Sequence, residues 1–320
     1  MRFDLLLVAG ISSTLSFLLG RHTALHEGTL SSLDENPALR RLSATDVYTH
    51  TAANDTYTAV LEAFEHSSAT KNKHCYGFMY AEMLARLESQ QRPLELLEIG
   101  IDATKSMSLW QSALGRENVH VHGVDNGKKR GVDAVKKQQE LMALSNITIH
   151  VGDQGDTHFL SQLKADTPRG FDVIIDDGGH TNKQQITSLK ALWQHVRPGG
   201  VYVIEDLEGQ YYSGTGFGCY GLDCGGGKVG KPGTSIALIK SIIDVLNRDF
   251  HNGPSKKSST FQIGHGSYSV VPGDASVRSL TCFRNLCAIF KRRGGEFIEG
   301  TKGGCTKLRP RKPVAAPKRW

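Results

Sequence analysis

FDVIIDDGGHTNKQQITSLKALWQHVRPGGVYVIED, residues 171–206, sets the reading of the whole chain. Phe171 to Asp177 is an apolar run without polar alternation, as in a strand buried on both faces. Asn182 to Val196 places Ile186, Leu189, Trp193 and Val196 on one helical face. Gly199-Gly200 then turns the chain into a second strand, VYVIED at 201–206. The same texture extends upstream. LELLEIG (94–100), VHVHGVD (119–125) and ITIHVGD (147–153) read as strands. Between them run helices from about Ser106 to Leu114, from after Asp125 to about Leu144, and near 157–164. Downstream, a helix over 234–249 leads into a hairpin at about 276–282 and 286–291. Buried strands alternating with helices predict an α/β fold with a doubly wound, mostly parallel, seven-stranded sheet. Two helices over 56–90, the second from Tyr76 to Leu87, form a helical N-terminal extension.

Composition agrees with a globular body. The chain has 320 residues, 39% apolar and 22% charged, which excludes a mostly disordered, collagenous or polytopic membrane protein. The net charge of +6 is unevenly placed: residues 291–320 carry +8 and the rest −2. A basic tail on a near-neutral body is poor support for a nucleic-acid partner, and none is expected. Residues 5–20 (LLLVAGISSTLSFLLG) read as a signal peptide or an uncleaved signal anchor, a single membrane anchor at most. That reading places the protein in the secretory pathway, membrane-anchored or secreted. The expected division is a signal segment at 1–20, a polar stalk at 21–55, the main domain at 56–292 and a basic, disordered tail at 293–320. Cys282 and Cys287 flank a two-residue turn at Arg284-Asn285. Such a turn sets them opposite each other, close enough to bridge; free, partly buried thiols fit the sequence equally well. Cys219 and Cys224 form a second candidate pair.

In open α/β sheets, ligands sit at the carboxyl ends of the strands. There the chain places Glu98-Ile-Gly100, Asp125, Asp153-Gln154, Asp176-Asp177-Gly-Gly-His180 and Glu205-Asp206. Any one of these fits a turn or a helix cap. Five on consecutive strands fit a site. Gly100 permits close backbone approach, Asp125 suits the diol of a ribose, and Asp153-Gln154 suits an adenine amino group. The glycine pattern is not G-x-G-x-x-G, which argues against a nicotinamide dinucleotide. No phosphate-binding loop appears, so an adenosyl ligand without phosphates is the better fit. Asp177, Glu205 and Asp206 end adjacent strands and repel one another unless a cation is present; Mg²⁺ suits such an oxygen set. His180, three residues past Asp177, is placed to act as a general base.

These motifs resemble the class I S-adenosylmethionine-dependent methyltransferases, a Rossmann-like fold. More narrowly, they are similar to the macrocin/mycinamicin O-methyltransferase group, which includes the cephalosporin hydroxylase-like proteins. LLEIG, GVD, GDQ, FDVIIDDGGH and GGVYVIEDLE carry the likeness, over about residues 70–292. HCYGFMY at 74–80 matches the H-x-Y-x-x-x-Y stretch ahead of the family's first motif. The resemblance implies magnesium-dependent methyl transfer from S-adenosylmethionine to a hydroxyl of a glycoside, polyol or polyketide-like small molecule. It implies His180 as the base and Asp177, Glu205 and Asp206 as metal ligands. Tyr76, Glu98, Gly100, Asp125, Asp153 and Gln154 become cofactor contacts. The chain departs from the pattern at Thr104, where the family has glycine, at Gly179, where it has serine, and over Glu208–Tyr212. The Gly/Cys-rich loop 213–233 is expected to cover the substrate. The competing expectation is a non-catalytic secretory or anchored protein that keeps the fold.

Overall fold

A computed structural model describes residues 44–87, 92–101, 105–127, 146–212, 229, 231–247, 260–263, 266–269 and 276–293. The expectations for residues 5–20, the helix to Leu144, Thr104, the Cys219–Cys224 pair and the basic tail beyond residue 293 fall outside these residues. The chain divides at Asp55/Thr56 into two compact units. Helix α1 (Ala44–Glu65) crosses that boundary, starting inside the segment expected as a stalk. A single turn, α2 (Thr70–Lys73), and α3 (Gly77–Ala85) follow.

The sheet is built from β1 (Leu94–Ile99), β2 (Val119–Asp125), β3 (Ile147–Val151), β4 (Phe171–Asp176), β5 (Val196–Ile204), β8 (Val277–Phe283) and β9 (Leu286–Lys291). Its order is β3-β2-β1-β4-β5-β9-β8. The first five strands are parallel, and β9 runs antiparallel to both β5 and β8. A separate short hairpin pairs β6 (Thr260–Ile263) with β7 (Gly266–Ser269), which the strand reading missed. Helices α4 (Lys105–Leu114), α5 (Thr157–Asp166), α6 (Asn182–Leu192) and α7 (Ser235–Leu246) complete the described elements.

Apolar residues at successive strand positions face opposite ways, so one run feeds two cores. Leu96, Val121, Val173 and Val203 pack beneath Val60, Phe64, Tyr80, Met83 and Trp110, from α1, α3 and α4. Leu97, Ile99, Ile174 and Tyr202 pack against Leu160, Leu189, Trp193 and Ile239, from α5 to α7 and the turn after α6. This is the doubly wound architecture that the strand patterning implies. Side-chain caps set three helix starts: the Asp156, Thr181 and Thr234 oxygens accept from the backbone N–H groups of His158, Gln184 and Ala237. The expected helix end differs. α6 stops at Leu192, a 3₁₀ turn covers Trp193–His195, and β5 begins at Val196 with a register shift before Val201. Gly199 at φ +87° carries that irregularity.

The sheet also buries imidazoles. Burial drives His122 on β2 down to about 4, against the raising pull of Glu95, and lowers His150 and His195 as well. In the unfolded chain these groups titrate near ~6.5, so between the two values the unfolded state binds more protons. The contribution of these histidines to stability should therefore fall as pH drops from about 6.5 towards 4, with His122 alone contributing about 3 kcal/mol. Thermal melts in chelator over that range should show the slope, and His122→Asn should flatten it. An equal slope in the variant would refute the assignment.

Candidate active site

After β3 the chain crosses over β1 to form β4 on its far side. The crevice left at the carboxyl ends of β1 and β4 is the topological switch point of the sheet. Gly100 lies at its floor with φ +88°. A Cβ there would run into the Asp177 carbonyl, while the Asp177 N–H donates to the Ile99 carbonyl at 2.9 Å. Glycine is thus required by the close passage of two backbones, a second reason beside the ligand approach read from the sequence.

The strand-end carboxylates raise the question of what cation stands among them. Much of the answer is the chain's own Lys71, from α2, which is 2% exposed. Its Nζ lies 3.0 Å from Glu98 Oε1, 2.6 Å from Asp177 Oδ2 and 2.7 Å from Glu205 Oε1. Burial opposes the ammonium charge, but Asp177, Glu205 and Glu98 together outweigh it and hold the lysine well above its ordinary range. Trp110 Nε1 donates to Glu98 Oε2 at 3.0 Å, and the Tyr80 hydroxyl donates to Glu205. Burial, then the Asp177 charge, pushes Glu205 well up; burial also raises Glu98. Sequence reasoning missed Lys71 because TKNKH reads as a solvated turn, and nothing local separates Lys71 from Lys73.

Asp206 is placed differently from Glu205. Its backbone is left-handed, φ 53° and ψ 54°, as is that of His180 at φ 56°. Such conformations are uncommon for residues other than glycine and cluster at functional sites. The Tyr76 hydroxyl donates to Asp206 Oδ1 at 2.8 Å, and Asn285 Nδ2 donates to it at 3.2 Å. Burial and the Asp206 charge raise the Tyr76 phenol, keeping it a donor. With Oδ1 anchored, Asp206 Oδ2 faces His180 Nε2 at 3.8 Å. Asn285 occupies the turn of the β8–β9 hairpin, which a Cys282–Cys287 disulfide closes as the spacing allowed.

Among the described residues, Asp177, His180 and Asp206 bring one potential ligand atom each within 4.8 Å of one another. The expected metal trio was Asp177, Glu205 and Asp206. The structure brings Asp177 and Asp206 together with His180, while the carboxylate of Glu205 turns inward to Lys71 and Tyr80. The expected cofactor contacts also divide. Asp125 and Asp153 are half-buried at the strand ends, each folding one oxygen onto a local backbone N–H, of Gly127 and Gly155, at 2.8 Å. Gln154 is buried, with Nε2 donating to Asp176 Oδ1 at 2.8 Å and Oε1 accepting from the Gly179 N–H at 2.7 Å. It braces the loop that carries His180, where a Cβ on Gly178 would strike it. Glu98 and Tyr76 are committed to Lys71 and Asp206.

Comparison with known proteins agrees with this fold. A methyltransferase-domain family matches residues 97–207. The mycinamicin VI 2''-O-methyltransferase of Micromonospora griseorubida is 30% identical over 240 residues, 68% of this chain and 52% of that protein. The demethylmacrocin O-methyltransferase of Streptomyces fradiae is 36% identical over 166 residues, 50% of this chain and 37% of that protein. Among solved structures, the MycE methyltransferase from the mycinamycin biosynthetic pathway, in complex with Mg and SAH, aligns with a TM-score of 0.55 at 26% identity. The alignment covers 79% of this chain and 58% of that one. The chain thus spans about half the length, or less, of the curated relatives it matches.

These relatives correct one expectation. The secretory, membrane-anchored placement drawn from residues 5–20 finds no counterpart in enzymes named for methylating mycinamicin VI and demethylmacrocin. Among the described residues, no helix is long and apolar enough to cross a membrane. Fold and sequence likeness agree: residues 97–207 match a methyltransferase domain, the sheet has the class I methyltransferase fold, and the chain resembles the mycinamicin and macrocin O-methyltransferases.

Proposed function

We propose that this protein transfers the methyl group of S-adenosylmethionine to a hydroxyl of a glycoside, polyol or polyketide-like small molecule, with Mg²⁺ assistance. One observation carries the reading: Asp177, His180 and Asp206 converge at the carboxyl ends of β4 and β5, beside the Gly100 crevice. Two carboxylates whose oxygens meet over a turn fit a hard divalent ion. Asp177 and Asp206 would hold it. Gly100, Asp125 and Asp153 would border the cofactor. When bound, these groups supply an electrophilic methyl and a Lewis acid for the acceptor oxygen.

The chain's own residues supply the rest. His180 Nε2 takes the proton of the acceptor hydroxyl. Tyr76 and Asn285 fix Asp206 so that its second oxygen faces that imidazole. Lys71 cancels much of the buried negative charge beneath the site. A pocket of about 590 Å³ shares Leu207 and Asn285 with the Asp206 wall and is lined further by Tyr211, Tyr212, Ile239 and Ile243. Aromatic and aliphatic walls beside a polar end suit a sugar joined to an apolar aglycone.

Calorimetric titration of the full chain with S-adenosylmethionine, with and without Mg²⁺, tests the reading. The wild type should bind the cofactor, and Asp206→Asn should weaken the magnesium response about tenfold or more, the scale on which metal-site losses fall. Failure of a folded wild-type sample to bind S-adenosylmethionine would sink the proposal. The non-catalytic alternative has no observation in its favour, because the acidic residues and His180 are assembled in a common site.

A further inference from the structure

A second cluster lies at the opposite end of the sheet from the crevice. Glu95, the second residue of β1, pairs in register with His120 of β2, and His122 follows two positions on, on the same face. Glu95 Oε2 lies 3.2 Å from His120 Nδ1 and 3.0 Å from His122 Nε2, and all three ligand atoms fall within 4.8 Å of one another. We propose that Glu95, His120 and His122 form a zinc site, separate from the methyl-transfer centre.

Zinc takes imidazole nitrogen and carboxylate oxygen at about 2.0–2.2 Å, most often tetrahedrally, so its ligand atoms stand roughly 3.3 Å apart. The two measured separations are close to that edge before any ion is added. Each ligand is also held on its far side, as metal-binding side chains usually are. His122 Nδ1 meets His150 Nε2 at 3.1 Å, His120 Nε2 meets Thr148 Oγ1 at 2.9 Å, and Glu95 Oε1 accepts from Arg169 Nη2 at 3.0 Å. His120 is 32% exposed, which leaves room for water in a fourth position. Two imidazoles select zinc over the oxygen-seeking Mg²⁺. Bound zinc would clamp β1 to β2 at their amino ends and, through His150, reach β3.

The test uses ZnCl₂ on chelator-treated full-length protein, followed by gel filtration in excess Mg²⁺ and metal analysis. The wild type should retain one zinc per chain. His120→Asn and His122→Asn should lose it, whereas Asp206→Asn, which alters the other centre, should keep it. Co²⁺ in place of zinc should give the visible ligand-field bands of a four-coordinate site, a readout on the wild type that does not depend on how a variant folds. No retained zinc in the wild type, no such bands, or zinc undiminished in both histidine variants would overturn the proposal.

Discussion

Replacing His180 with alanine should lower turnover by about 10²–10⁴-fold while S-adenosylmethionine still binds. The backbone that carries the imidazole is fixed on both sides. Its residue sits in a left-handed turn between Gly179 and the Thr181 helix cap, and its carbonyl accepts from Gln210 Nε2 at 3.3 Å. Gln154 fixes the loop before it through the Gly179 N–H. That scaffold stays when the ring goes, so the loss should fall on kcat and not on cofactor affinity. Steady-state assays with a hydroxyl acceptor of the proposed class would separate the two. Equal turnover in the variant would remove His180 from the base role and leave the fold assignment standing.

Replacing Lys71 with methionine should destabilise the protein by about 3–5 kcal/mol, because one partner of a buried ionic cluster is removed and the others are left. Glu98, Asp177 and Glu205 lose the ammonium that lies within 3.0 Å of each. For a domain of this size, that loss corresponds to a fall of roughly 6–20 °C in Tm. The sign with pH is also fixed. Burial already raises Glu98 and Glu205, and removing Lys71 raises them further. The folded variant then binds more protons than its unfolded chain, so its deficit should grow as pH rises through the carboxylate range and shrink in acid. Melting curves of both proteins at several pH values would show this. A deficit independent of pH would mean that lost packing, not unpaired charge, is the cause.

The parallel half of the sheet was legible because short runs rich in apolar residues end in Gly or acidic residues, and segments of 3.6-residue spacing separate them. Asp177, His180 and Asp206 were legible as polar residues where such strands end. What lay beyond the sequence depends on long-range placement. Lys71 is 106 residues from Asp177 and 134 from Glu205, and only the folded chain shows that they meet. Tyr76 reads as a cofactor contact from its motif, yet its hydroxyl steadies Asp206. The split between Glu205, turned inward, and Asp206, turned out, follows from one left-handed residue that no local pattern announced. A hairpin at 276–291 was readable, but its insertion beside β5 was not, since LCAIFK pairs equally well with its immediate neighbour.

That insertion has a consequence for the chain as it leaves the ribosome. Among the described residues the last strand made, β9, lies between β5 and β8. When Ile204 emerges, all five parallel strands exist, but Val201–Ile204 present an unpaired apolar edge. They stay so until Cys287–Phe290 arrive to pair with them. At usual synthesis rates, that interval is roughly 4–17 seconds, long enough for an exposed edge to recruit other chains. Asn285 arrives with the same hairpin and settles on Asp206. Closure of this edge and completion of the Asp206 site therefore come with the same hairpin, and a nascent chain that has not yet sealed its edge also lacks a finished site.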